Sequence, residues 1–327
     1  MDVVLELFDT FLLDRLYASA FPITPSAAVY HAFDLAQSPN RTWSGLQEAG
    51  VGSMYKYQPA SSYLSFQPSA WAHMSQWPRD NAWRQLLSLY MITWIFGVVI
   101  YFVCATASYV FIFDKTTTNH PKYLKNQISL EIKQTMVSMP MMAIFTAPFF
   151  LAEVRGYSKM YDTTADGPGM WYNFFQFPLF LCFTDFFIYW IHRGLHHPMV
   201  YKRLHKPHHK WIMPTPFASH AFHWLDGYAQ SVPYHVFPFI FPLQKFAYVA
   251  LFMFINIWTV LIHDGEYVAN NPIINGAACH SIHHEKFEWN YGQFTTLWDR
   301  VGGSYRKPPQ SMFERSTPVA VGKKKPE

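Results

Sequence analysis

The chain has 327 residues, of which 50% are hydrophobic, 19% aromatic and only 14% charged, against about a quarter charged in an average soluble domain. That balance excludes an ordinary water-soluble protein, and a mean hydropathy of −0.01 requires the apolar surplus to be concentrated in particular segments. A net charge of +4 with no basic face argues against nucleic acid as a partner, and three scattered cysteines with no CxxC pair exclude a disulfide framework.

The first 22 residues, MDVVLELFDTFLLDRLYASAFP, open with acids rather than a basic n-region, so no cleavable signal peptide is expected. Val3/Val4, Leu7/Phe8, Phe11/Leu12 and Leu16/Tyr17 follow the rhythm of one helical face, and Asp2, Glu6, Asp9 and Asp14 mark the other. Such a helix either packs on its own domain or lies in a membrane interface. Residues 38–85, rich in Ser, Gln, Pro, Gly and aromatics, read as irregular.

Residues 86–113 run for 28 positions without a charge, and a helix needs about 20 apolar residues to cross a bilayer core. Residues 136–151 are shorter and carry Pro140 and Pro148, but cross with their flanks. Residues 171–191 have spanning length around Asp185, a costly acid at that depth and therefore a functional candidate. Residues 228–262 are apolar, broken by Pro233, Pro238 and Pro242, and adjoin histidine-rich segments at both ends. They read as a hairpin that enters and leaves on one side. The expected architecture is an all-α polytopic membrane protein: about three full spans, a membrane hairpin, and a cytosolic helical cap. Its parts are residues 1–85 (amphipathic helix and irregular luminal segment), 86–310 (membrane-embedded catalytic domain) and 311–327 (basic cytosolic tail).

With the histidine-rich segments cytosolic, 17 of the 25 Lys/Arg fall on the cytosolic side and 7 on the luminal side, which follows the positive-inside bias. The sequon Asn40-Arg41-Thr42 then lies in the lumen. The end, KKKPE, with Lys324 and Lys325, resembles a dilysine retrieval signal of the endoplasmic reticulum.

Histidine carries the chemistry. HRGLHHPMVYKRLHKPHHKW (residues 192–211) holds six of the chain's 16 histidines, and HSIHH (residues 280–284) adds three. His192 and His196 stand one helical turn apart. His205, His208 and His209 stand at i, i+3, i+4, and His280, His283 and His284 repeat that spacing. Pro207 places the second cluster in the first turn of a helix. Neutral imidazoles confined together would repel on protonation, and a cation removes that cost. Eight or nine imidazoles exceed the four ligands of one tetrahedral zinc, so two metals with open positions are expected. The ligand type alone admits Zn, Fe, Cu or Ni. A redox-active pair at the membrane surface suits oxygen chemistry on a lipid.

HRGLHH, HKPHHKW and HSIHH, in that order between membrane spans, resemble the three histidine boxes of the sterol desaturase/fatty acid hydroxylase superfamily, over roughly residues 83–305. The segments PTPFASHAFHWLDGY (214–228) and IHDGEY (262–267) bring the resemblance closest to the sterol C5-desaturases. Trp224 departs from it, since proline is expected after His223. The resemblance implies His192, His196, His205, His208, His209, His280, His283 and His284 as metal ligands. His197, His263 and His223 are further candidates, and His31, His73, His120 and His235 read as structural. Asp185, two helical turns before His192, is expected to accept a ring N–H from a ligand. Asp226, Asp264, Glu266 and Glu285 are similar candidates.

The resemblance further implies removal of two hydrogens across C5–C6 of a Δ7-sterol, in ergosterol-type biosynthesis at the endoplasmic reticulum. It implies two iron ions (zinc taking the sites in recombinant protein), O2 as oxidant, and electrons from NADH through cytochrome b5 and its reductase. A hydroxylase or sterol methyl oxidase shares the boxes. A membrane metal transporter or sensor is the rival of another class, but it would place polar residues in mid-membrane, often in repeats.

Overall fold

The computed structural model describes residues 1–23, 57–64, 66–265 and 271–313. His31, the Asn40 sequon, Glu266, the Lys324–Lys325 pair and residues 38–56 and 65 of the irregular N-terminal segment lie outside the described residues. Helix α1 (Asp2–Phe8) runs through a π-helical turn, Asp9–Leu13, into α2 (Asp14–Ala20). Helices α3 (Ala82–Phe111), α4 (Gln127–Val154) and α5 (Met170–Leu195) are 30, 28 and 26 residues long and apolar enough to cross a membrane. A short α6 (Pro198–Leu204), the pair α7 (Trp224–Ile240) and α8 (Lys245–Leu261), α9 (Ala277–Lys286) and α10 (Leu297–Val301) follow.

Helix α3 starts four residues before the charge-free run because Asn81 caps it. The Asn81 Oδ1 accepts from the backbone N–H of Trp83 at 2.9 Å and of Arg84 at 3.1 Å, satisfying donors that a helix start leaves free. Pro140, Pro148 and Pro178 sit inside α4 and α5, as tightly packed membrane helices tolerate. The expected breaks at Pro233 and Pro238 do not occur either: α7 runs through both, and only Pro242 falls in the turn. In that turn β2 (Leu243–Gln244) pairs in parallel with β1 (Met160–Tyr161), Met160 opposite Leu243 and Tyr161 opposite Gln244. The tip of the hairpin is thereby fixed to the segment that joins α4 and α5.

The chain folds as two compact units. One comprises Met1–Phe96, Ala143–Phe177 and His235–Leu251, the other Gly97–Met142, Pro178–Tyr234 and Phe252–Glu327. Every histidine of the three boxes belongs to the second unit. Within it Tyr101 donates to the carbonyl of Phe217 at 3.0 Å, Ser138 donates to that of Phe222, and the Thr215 hydroxyl donates to the buried Glu131 carboxylate. Helices α3 and α4 thus pin residues 215–222 along the histidine cluster. Trp211, Ala218 and Ala221 form the buried apolar patch beneath it.

In the first unit the N-terminal helical run is amphipathic as expected, and its acidic face is the one turned inward. Its acids Glu6, Asp9 and Asp14 are buried, while Leu7, Phe11, Leu12 and Leu16 are exposed.

Candidate metal centre

The histidines gather into two groups. His192, His196, His205, His209 and His283 form one, and His208, His263, His280 and His284 the other; in each, the candidate ligand nitrogens lie within 4.8 Å of one another. In the first, His192 Nε2 is 3.0 Å from His205 Nε2, and His209 Nε2 is 3.1 Å from both His196 and His205. In the second, His280 Nε2 is 3.0 Å from His263 and 3.1 Å from His284, with His208 Nε2 3.5 Å from His263.

The sorting follows from helical geometry. Residues four apart share a face, and adjacent residues point about 100° apart. So His192/His196, His205/His209 and His280/His284 each stay together. The middle histidine of each HxxHH crosses over, His208 into the second group and His283 into the first. The second box keeps this spacing without being a helix, contrary to expectation. It is a run of turns after α6 in which the His205 carbonyl accepts from His208 N at 2.9 Å and His209 N at 3.2 Å. Pro207 supplies no N–H to extend a helical ladder.

The outer ring nitrogens show how the inner ones are set. His192 Nδ1 lies 2.9 Å from the carbonyl of Tyr291, His283 Nδ1 2.8 Å from that of Trp289, His284 Nδ1 3.0 Å from that of Trp211, and His263 Nδ1 2.7 Å from that of Thr259. His205 Nδ1 is 2.7 Å from the Asp226 carboxylate. Carbonyl and carboxylate oxygens only accept, so each Nδ1 carries the hydrogen and each Nε2 presents a lone pair inward. Lone pairs about 3 Å apart repel, and the His283 Nε2 is buried with no hydrogen-bond partner. Burial, and then the neighbouring imidazoles, hold His208, His209, His280, His283 and His284 well below the usual histidine range. Burial likewise lowers His263 to about 4. Protons therefore do not relieve the crowding at neutral pH. A divalent cation in each group would, and neutral imidazoles in the Nδ1–H tautomer are the form that ligates one.

The remaining candidates are placed differently. His197 is exposed and serves as the residue before α6, its carbonyl accepting from Val200 and Tyr201 at 2.9 Å. Pro198 at the first helical position turns the chain there, which carries the His197 ring away from both groups. His223 is half-buried outside both groups; its Nδ1 accepts from Leu225 N at 3.2 Å and its ring stacks on Trp224. Trp224 occupies the first position of α7, where proline would also be favourable. Asp185 touches no imidazole. Its carboxylate accepts from Gln293 N, Phe294 N, Thr295 N and the Thr295 hydroxyl at 2.5–3.2 Å. Asp299, which sequence reasoning missed, accepts from Tyr291 N and Gly292 N, each at 2.8 Å. These two acids brace the loop whose Trp289 and Tyr291 carbonyls orient His283 and His192. Gly292 is required in that loop because a Cβ would collide with the Thr295 carbonyl. Cys279 is buried beside His280 and belongs to neither group.

The fatty acid hydroxylase family profile matches residues 177–304, which hold every histidine of both groups. Curated relatives cover nearly the whole chain. The Delta(7)-sterol 5(6)-desaturase of Aspergillus fumigatus is 62% identical over 97% of this chain and 89% of its own length. That of Leptosphaeria maculans is 61% identical over 96% and 88%, and that of Gibberella zeae 60% identical over 100% and 91%. No solved structure matches the chain. Identity at that level and coverage, with the box histidines gathered as described, places this chain in the family of Delta(7)-sterol 5(6)-desaturases.

Proposed function

We propose that this protein is an O2-dependent oxidoreductase that introduces the C5–C6 double bond into a Δ7-sterol. The observation that carries the reading is the pair of buried all-imidazole groups, in a chain otherwise similar throughout to sterol desaturases. Removing two hydrogens is a two-electron oxidation, and two further electrons bring O2 to two molecules of water. Zinc has no redox chemistry, and imidazole accepts iron, so one iron in each group fits both the donor set and the reaction. Bound there, the iron supplies the oxidising chemistry with O2; electrons come from NADH through cytochrome b5 and its reductase.

The chain's own part is positioning. Six Nδ1–H groups point at oxygen acceptors, counting the longer 3.4 Å contact of His208 to the Ala221 carbonyl. They fix the tautomer and orient the rings before metal binds. Asp226 holds the ring of His205 in place through its Nδ1–H, and Asp185 and Asp299 hold the loop behind His192 and His283. Residues 86–310 constitute the catalytic domain. The membrane is that of the endoplasmic reticulum, with the histidines and C-terminus cytosolic, as the excess of Lys/Arg on that side supports.

Expression in a yeast strain lacking its own C5-desaturase, followed by sterol profiling, tests the reading. The expected result is restored C5–C6 unsaturated sterol with the unmodified protein and none with His283→Gln. A hydroxylated sterol or fatty acid as the product, with no new alkene, would establish the hydroxylase alternative instead.

A further inference from the structure

The N-terminal helical run turns its charges inward. Asp9 and Asp14 are 3% and 1% exposed, and Glu6 is 7% exposed. Arg84, itself 1% exposed, bridges Asp9 and Asp14 at 2.6 Å each, and Arg79 binds Asp14 at 2.5 Å. Glu6 accepts from Ala60 N at 2.7 Å and Phe66 N at 3.2 Å, and from the Tyr57 hydroxyl. The outward face carries Leu7, Phe11, Leu12 and Leu16, at 40%, 71%, 49% and 53% exposure. Arg15 is the only charge exposed between Leu7 and Ala20.

In water this arrangement is inverted. Burying ions costs several kcal/mol each before pairing returns any of it, and leaving large apolar side chains wet forfeits about 1.5–3 kcal/mol apiece. Rolling the helix over would remove both costs. The observed face is the stable one only where the outside is as apolar as the side chains. The ends of the run place it along the bilayer rather than across it. The Met1 amino group lies 3.6 Å from Glu153, next to the last residue of α4, and Asp14 meets Arg84 in the first turn of α3. The start of α3 and the end of the following span α4 lie at the same membrane face. The 19 residues between Asp2 and Ala20 extend about 28 Å along that face. The apolar surface continues onto α3 in the same unit, through Trp83 and Leu87, 70% and 45% exposed.

We infer that residues 2–20 are an interfacial anchor whose Leu7–Phe11–Leu12–Leu16 face is covered by lipid hydrocarbon, in the leaflet where α3 begins and α4 ends. The buried Asp9–Asp14–Arg79–Arg84 cluster is the inward hinge that holds that face out.

Spin labels test it on the full-length protein in phosphatidylcholine vesicles. Cys104→Ala, Cys182→Ala and Cys279→Ala remove the native thiols; Phe11→Cys, Leu12→Cys and Leu16→Cys, made one at a time at exposed positions, carry the label. Collision rates with O2, which concentrates in hydrocarbon, and with a water-soluble nickel chelate are compared with Val103→Cys on α3 as the lipid reference and Met199→Cys on α6 as the water reference. The expected result is O2 collision as frequent as at Val103, with a nickel-to-oxygen ratio several-fold below that at Met199. A ratio matching Met199 would mean the face is wet and would overturn the proposal. Low collision with both reagents would mean that a second copy or another protein covers the face, and would overturn it equally.

Discussion

Asp226→Asn preserves shape and removes one charge. Asp226 is 0% exposed, its Oδ2 2.7 Å from His205 Nδ1 and its Oδ1 accepting from Gln230 Nε2 at 2.7 Å. An asparagine still accepts from His205 while Gln230 turns its amide over, so no buried group is orphaned. What goes is charge assistance. Hydrogen bonds to ionised groups are worth about 1.5–3 kcal/mol against about 0.5–1.5 for neutral pairs. The difference, about 1–1.5 kcal/mol, is roughly tenfold in affinity. Asp226→Ala goes further: it leaves the His205 Nδ1–H buried without an acceptor, about 1–3 kcal/mol more, and frees the ring to turn. About tenfold and about hundredfold weaker metal retention are therefore expected, the range typical for a carboxylate behind a ligating histidine. The assay is metal content per chain, by mass spectrometry, of purified protein titrated with a chelator. Only the five-histidine group containing His205 should release earlier. A retention curve for Asp226→Ala that superimposes on that of the unmodified protein would refute the reasoning. Equal weakening of both groups would refute it too, since it would mean general loosening.

His263→Gln should bring the metal content from two ions toward one per chain, because it removes one of four imidazoles from the second group. His197→Gln and His223→Gln should keep both ions, and metal loss in either would show that the ring moves into the site. Asp185→Asn places an amide N–H against donors of residues 293–295 and forfeits two charge-assisted bonds of about 1.5–3 kcal/mol each. Its expected signature is earlier metal release from the group held by His192 and His283; release from the other group alone would contradict the loop argument. Arg84→Met leaves Asp9 without its guanidinium partner inside the protein, at a cost of about 3–5 kcal/mol. The unfolding temperature in detergent should drop with metal content per folded chain unchanged, and an unaltered melting curve would show that the cluster contributes no net stability.

Much of this protein is legible in one dimension because membranes and ligand spacing are periodic constraints. The charge-free run 86–113 dictates α3, since no other element satisfies its backbone in hydrocarbon, and the i, i+4 histidine pairs dictate which rings share a face. The sequence also signals that His263 leaves the hairpin beside the third box, but not that its ring meets His280 at 3.0 Å. Tertiary structure alone decided the rest. Which metal group receives His208 and His283 depends on how separate segments are oriented in space. Asp185 and Asp299 act through backbone carbonyls of a loop more than a hundred residues beyond Asp185, a contact no local pattern records. Pro207 turned an expected helix into turns while preserving its spacing. The N-terminal run shows the limit most plainly. Periodicity separates its apolar face from its acidic one, but which face turns inward depends on what surrounds the helix. The guanidinium groups of Arg79 and Arg84, brought to it by the fold, compensate the buried acids and turn the leucines outward.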